Sequence, residues 1–132
     1  MEFKLDENYN HEFTVTLDVY QQFQLCSNDR NPLHTNVDFA KSKGFTDKVM
    51  YGNILNAFLS FFVGECLPIK NVIIHSQEIA FRNPVYLNEK LEFEAKVSGI
   101  FEAVNTIEFK YKFTKPDGKI AAKGLIQIGL LQ

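Results

Sequence analysis

Apolar positions along the chain change spacing once, near Pro68. Before that point the pattern is mainly helical. Glu12-Phe13-Thr14-Val15-Thr16 reads as a short strand, and from Leu17 to Leu25 the residues Leu17, Val19, Tyr20, Phe23 and Gln24 recur at roughly helical spacing. Asp18 lies on the favourable side of that helix's dipole. A polar loop, Cys26 to His34, follows. Val37 to Lys43 then reads as two helical turns, with Asn36 as a candidate N-cap and Gly44 as a candidate C-cap. The segment Asn53 to Gly64 is apolar on nearly every side, so it predicts a helix enclosed by protein over most of its circumference.

After Pro68 the period becomes two. Leu91, Phe93, Ala95, Val97 and Gly99 alternate with Lys90, Glu92, Glu94, Lys96 and Ser98, the pattern of a half-buried strand. Ile107, Phe109, Tyr111 and Phe113 alternate in the same way. The turn Lys115-Pro116-Asp117-Gly118-Lys119 joins that strand to Ile120–Leu131 as an antiparallel hairpin, because Pro presets φ and Gly accepts positive φ. Val72 to Phe81 supplies a further strand. The predicted class is α+β, with a curved antiparallel sheet around a central helix. Such a sheet has two edges, and a second subunit is a common cover for one of them.

Composition narrows the function classes. The 132 residues suit a single domain spanning 1–132. With 14 Lys+Arg against 16 Asp+Glu and no dense basic run, the chain lacks the footprint of a nucleic-acid binder. Cys26 and Cys66 form no CxxC or Cys/His cluster, and they read as reduced, cytoplasmic thiols. The N-terminus lacks the pattern of a signal peptide, and the run Ile54–Val63 is about half of what a bilayer span needs, so no membrane partner is expected. Thirteen phenylalanines and no tryptophan give more apolar surface than one small subunit comfortably hides.

The loop Ser27-Asn28-Asp29-Arg30-Asn31-Pro32-Leu33-His34 is the densest cluster of reactive groups. Pro32 fixes its own φ and pushes Asn31 toward extended backbone, so Asp29 and His34 are held by a stiff turn. A carboxylate and an imidazole able to share one water are what proton transfer at neutral pH requires. Taken alone, an Asp in such a loop is more often a turn-former than a catalytic group. Lys41, Lys43 and Lys48 nearby fit either a solvated face or a phosphate contact. His11 and His75 read as structural or solvated. No metal-site spacing, phosphate loop or nucleophile elbow occurs.

The run Asp29-Arg30-Asn31-Pro32-Leu33-His34, followed by Phe39-Ala40 and Gly44-Phe45, closely resembles the signature of MaoC-like dehydratases and (R)-specific enoyl-CoA hydratases. Phe81-Arg82-Asn83-Pro84-Val85 is similar to the family's F-x-x-P-V segment. Met50-Tyr51-Gly52-Asn53-Ile54 falls where the family carries a His-Gly pair before its long helix. The resemblance implies the hot-dog fold and reversible hydration of a trans-2-enoyl-CoA, or acyl-carrier-protein, thioester to the (R)-3-hydroxyacyl thioester. Carried over by position, Asp29 and His34 match the acid/base pair that grips water, Asn31 the residue bracing the turn, and Gly52 the N–H facing the thioester carbonyl. Tyr51 and Asn53 join Asn31 and Gly52 as expected substrate-binding residues.

The chain departs from the family pattern at four positions. Asn28 stands for the usual Gly, Asn36 for an Asp, Tyr51 for the His before the helix glycine, and Asn53 for an apolar residue. The apolar helix behind Gly52, with Phe58, Leu59, Phe61 and Phe62, reads first as plain core and second as the wall of an acyl tunnel. No metal, nicotinamide or flavin is expected, the CoA or carrier pantetheine being part of the substrate. The expected partners are the acyl thioester, an acyl carrier protein as its alternative carrier, and a second copy of the chain in a homodimer or higher homo-oligomer, since the family builds its sites at the subunit contact. A hot-dog thioesterase and a non-catalytic acyl-thioester binder are the competing functions.

Overall fold

The computed structural model describes residues 2–132. A five-stranded antiparallel sheet in the order β1-β3-β4-β5-β2 wraps one central helix. Its strands are β1 (Asn8–Thr14), β2 (Val72–Phe81), β3 (Lys90–Phe101), β4 (Thr106–Thr114) and β5 (Ile120–Leu130). The helices are α1 (Leu17–Ser27), α2 (Pro32–Thr35), α3 (Val37–Ser42) and α4 (Ile54–Phe61). No helix among the described residues is long and apolar enough to cross a membrane.

The two-residue period produces the sheet as expected. In β3 the buried set is Leu91, Phe93, Ala95, Val97 and Gly99, with the charged residues between them exposed. The β4–β5 hairpin closes through Lys115–Lys119, where Gly118 takes φ +88° and the Asp117 carboxylate accepts the Lys119 N–H at 2.9 Å. Lys115, read in the sequence only as a turn residue, is buried. Its ammonium donates to the Pro84 carbonyl, lies 3.5 Å from Glu89 and faces the Tyr86 ring. The expected strand Glu12–Thr16 forms earlier in the chain, at Asn8–Thr14. It ends there because Thr16 caps α1, its hydroxyl accepting the Val19 N–H at 3.2 Å.

The central helix differs from its expected form in two ways. It is regular only over Ile54–Phe61, after which Phe62–Cys66 widens into a π-turn. It is also not enclosed all round. Ile54, Leu55, Leu59, Phe62 and Val63 are buried against the sheet, whereas Asn53, Ala57, Ser60 and Gly64 are exposed and Phe61 is 42% exposed. The reason is geometric: one curved sheet can cover only one side of a helix. The buried side is dense in aromatic rings. Phe62 packs against Phe93 and Phe109 at centroid distances of 5.0 and 5.2 Å, and Phe13 stacks on Phe58 at 4.5 Å.

One buried phenol ties the sheet's far edge to its centre. Tyr111 Oη donates to the Glu78 carbonyl at 2.8 Å, passing Gly124, where a Cβ would overlap that same oxygen. Burial, and secondarily the Glu78 charge, pushes the Tyr111 phenol up to about 12. The folded state therefore keeps this proton while an unfolded chain releases it near pH 10, so stability is full below about 10 and falls as pH rises toward 12. We expect Tyr111→Phe to cost about 1 kcal/mol at pH 7 from the lost hydrogen bond, and to lose less stability than the native chain between pH 10 and 11.5. Urea midpoints at both pH values check this, and equal alkaline losses in the two proteins would refute it.

Candidate active site

The loop between α1 and α2 is built by side chains that close its backbone. Asn28 ends α1 in the left-handed region at φ 55°, its N–H donating to the Gln24 carbonyl, so Asn here does what a glycine does in the related motif. Ser27 Oγ accepts the Asp29 N–H at 3.2 Å, and Asp29 Oδ1 accepts the Asn31 N–H at 3.0 Å. Asn31 Oδ1 in turn accepts the Leu33 N–H at 2.9 Å and caps α2, with Pro32 in its first turn. Asn36 caps α3 through the Phe39 N–H at 3.0 Å, and Gly44 follows its end at φ +94°.

This turn brings Asp29 and His34 together. Asp29 Oδ2 and His34 Nε2 are 4.0 Å apart, with the carboxylate 45% and the imidazole 17% exposed. That gap is too long for a direct hydrogen bond and suits a bridging water. His34 Nδ1 lies 2.7 Å from the Val49 carbonyl, which can only accept. Nδ1 therefore carries a proton, and the ring turns Nε2 to the Asp29 side. Val49 is itself fastened to the turn by its N–H to the Leu33 carbonyl, and Met50 N–H bonds to the Val85 carbonyl.

Tyr51 is 3% exposed and lies alongside His34, with ring centroids 4.2 Å apart. Its hydroxyl donates to the Asp29 carbonyl at 2.5 Å and accepts from Gln24 Nε2 at 3.3 Å. Tyr20, from α1, donates to the His34 carbonyl at 2.6 Å. Burial, and secondarily Tyr51, raises the Tyr20 phenol above its ordinary range, so it stays a donor at neutral pH. Gly52 lies in the turn just before Asn53, the N-cap of α4, and its N–H meets no acceptor among the described residues. A Cβ there would stand 2.9 Å from the Phe81 ring.

His34, Tyr51 and Gly52 line one cavity of about 290 Å³, together with apolar Val15, Met50, Leu55, Phe81 and Val85 and with Arg82. Asp29 adjoins it through His34. Asn31 works within the turn, and Asn53 is exposed with its Oδ1 accepting from Asn56 Nδ2 at 2.8 Å, so neither lines the cavity. A larger, open hollow of about 800 Å³ on the sheet is lined by Lys and Glu side chains of β2, β3, β4 and β5, and it contains none of the candidate groups. His11 packs on Phe13 and Phe61, while His75 occupies a bulge in β2 against Gly129. Among the described residues no three His, Cys, Asp or Glu are grouped to hold a metal ion.

Sequence reasoning missed Tyr20, Gln24, Val49 and Arg82. Tyr20 and Val49 bond to His34 across 14 and 15 residues, and no local pattern signals such a contact. Arg82 and Phe81 had a signal, because both lie in the Phe81–Val85 motif.

An antiparallel sheet curled on a central helix, with a polar turn and a helix start meeting at one cavity, is the hot-dog architecture. The MaoC like domain family model matches residues 2–116, and the chain belongs to that family. It is 28% identical over 102 residues to the (R)-specific enoyl-CoA hydratase of Aeromonas caviae, covering 77% of this chain and 76% of that protein. It is 29% identical over 104 residues to the mitochondrial 3-hydroxyacyl-(acyl-carrier-protein) dehydratase FERN of Solanum lycopersicum, covering 77% and 62% of the two chains. A solved structure described as an (R)-hydratase from A. caviae involved in PHA biosynthesis superposes with a TM-score of 0.89 at 23% identity, over 97% of both chains, which shows the shared fold.

Asn31→Ala removes the α2 cap and should lower stability by about 1 kcal/mol, while Asn31→Asp should restore most of it. Denaturant unfolding of both variants checks this, and an unchanged midpoint in Asn31→Ala would show that the cap is not needed.

Proposed function

We propose that this chain reversibly hydrates a trans-2-enoyl thioester, carried by CoA or by an acyl carrier protein, to the (R)-3-hydroxyacyl thioester. As a MaoC-like protein it is an enzyme, a lyase of the hydratase and dehydratase kind. The observation that carries the reading is the 4.0 Å space between Asp29 Oδ2 and His34 Nε2, at a cavity that also holds the unpaired N–H of Gly52.

In this reading the thioester enters the cavity with its carbonyl oxygen toward Gly52, and one water lies between the carboxylate and the imidazole. The pair removes a proton from the water as its oxygen bonds to C3. The C2–C3 π electrons move toward the thioester carbonyl, and the oxygen that gains enolate charge is met by the Gly52 N–H and the positive end of α4. The pair then returns a proton to C2, so the net change is addition of one water. The reaction calls on no metal or redox group, and the pantetheine belongs to the substrate. The apolar lining, from Val15 to Val85, suits the acyl chain.

A homodimer fits the same reading. Ile73 and Phe81, in the edge strand β2, are each about half exposed, and Phe81 also lines the cavity. A second copy paired there would cover apolar surface and complete the cavity mouth.

Two measurements test these statements. Hydration of crotonyl-CoA, followed by loss of enoyl absorbance, should fall about 10²–10⁴-fold in Asp29→Asn and in His34→Ala, the usual worth of a general acid or base. Full activity in both would remove the pair from the reaction, and release of free thiol instead of hydration would point to a thioesterase. Sedimentation at assay concentration should give a dimer, and an active monomer would overturn the paired form.

A further inference from the structure

The two groups of the candidate pair differ in how their side chains are held but share one feature in their backbones. Each carbonyl is the acceptor of a tyrosine hydroxyl from elsewhere in the chain. Tyr51 Oη donates to the Asp29 carbonyl at 2.5 Å, and Tyr20 Oη donates to the His34 carbonyl at 2.6 Å. The two phenol rings stack on each other with centroids 5.6 Å apart, and both are nearly fully buried. Gln24, one turn after Tyr20 on α1, donates to the Tyr51 hydroxyl and fixes its proton toward Asp29. Tyr51 also faces the His34 ring itself at 4.2 Å.

We propose that Tyr20 and Tyr51 form a brace of positioning residues that sets the separation of Asp29 and His34. The two ends of the turn are short, polar and partly exposed, and their own Asx bonds fix local backbone shape but not the distance from one end to the other. Beside the Val49 carbonyl that holds the His34 ring, two stacked rings rooted in different segments, α1 and the residues just before α4, supply a constraint that spans both ends. In this arrangement Tyr51 has no free hydroxyl proton to offer a substrate. Its contribution to the cavity is the ring, and its hydroxyl acts through Asp29. The brace deepens the hydratase reading and rests on it for the kinetic readout alone.

The test uses Tyr51→Phe, Tyr20→Phe and the double variant in the full chain. Tyr111→Phe serves as a control that loses one equally buried hydroxyl far from the turn. With crotonyl-CoA, Tyr51→Phe should lower kcat about tenfold or more with KM within about twofold, since small misplacements of reacting groups are costly. The double variant should lose less than the product of the single losses, because the two rings act as one unit. Tyr111→Phe should keep kcat within about twofold. By hydrogen exchange, the Asn31, Leu33 and His34 amides should exchange about tenfold faster in Tyr51→Phe, with β3 and β4 amides unchanged. Native kcat in both single variants, an equal kcat loss in Tyr111→Phe, or faster exchange spread through the sheet would each overturn the brace. If the native chain hydrates no enoyl thioester, the hydratase reading fails, and the exchange result alone decides the brace.

Discussion

The packing of α4 into the concave side of the sheet is the contact on which the site depends. Leu59 and Phe62 are fully buried, Phe62 against rings presented by β3 and β4, and each such side chain contributes about 1.5–3 kcal/mol of apolar burial. That packing fixes where α4 begins. Gly52 and Tyr51, the latter bonded to the Asp29 carbonyl, sit just before that beginning, so the helix start and the candidate turn are brought to one point by a core far larger than either.

Three separate stretches of chain are linked in series behind the turn. Val49 and Met50 form a bridge, with Val49 holding His34 through its carbonyl and Met50 bonded to Val85. The Val85 segment is in turn held by Lys115 from the β4–β5 hairpin, whose buried ammonium meets the Pro84 carbonyl and Glu89. A buried lysine is tolerable only with such partners. It gives the hairpin turn a consequence beyond sheet closure, because the loop it clamps forms one wall of the cavity.

The open side of α4 and the open edge at β2 belong to the same economy of surface. One sheet of five strands encloses half a helix, and Phe61, Ile73 and Phe81 are left in solvent by a single chain. The Phe-rich composition thus divides into an inner set, including Phe62, Phe93, Phe109 and Phe113, and an outer set that a single subunit does not bury.

Much of this was legible in the residues themselves. The strands β3 and β4 follow from a period of two, because each side chain on a pleated strand must choose a face. The turn at Lys115–Lys119 and the caps at Asn31 and Asn36 follow from local chemistry that acts within a few residues. Asp29 and His34 stood out for the same reason, since the motif that carries them is contiguous. What the sequence left open was set by contacts between distant segments: the end of β1 at Thr14, the exposed side of α4, the burial of Lys115, and the tyrosines that grip the turn. In one dimension Tyr20 looks like an ordinary helix-face aromatic, and Tyr51 like a residue facing substrate rather than one bonded to the turn. Only when the sheet curls around α4 do their hydroxyls reach the Asp29 and His34 carbonyls, because a hydrogen bond is specified by position in space and the chain encodes that position only through the whole of its packing.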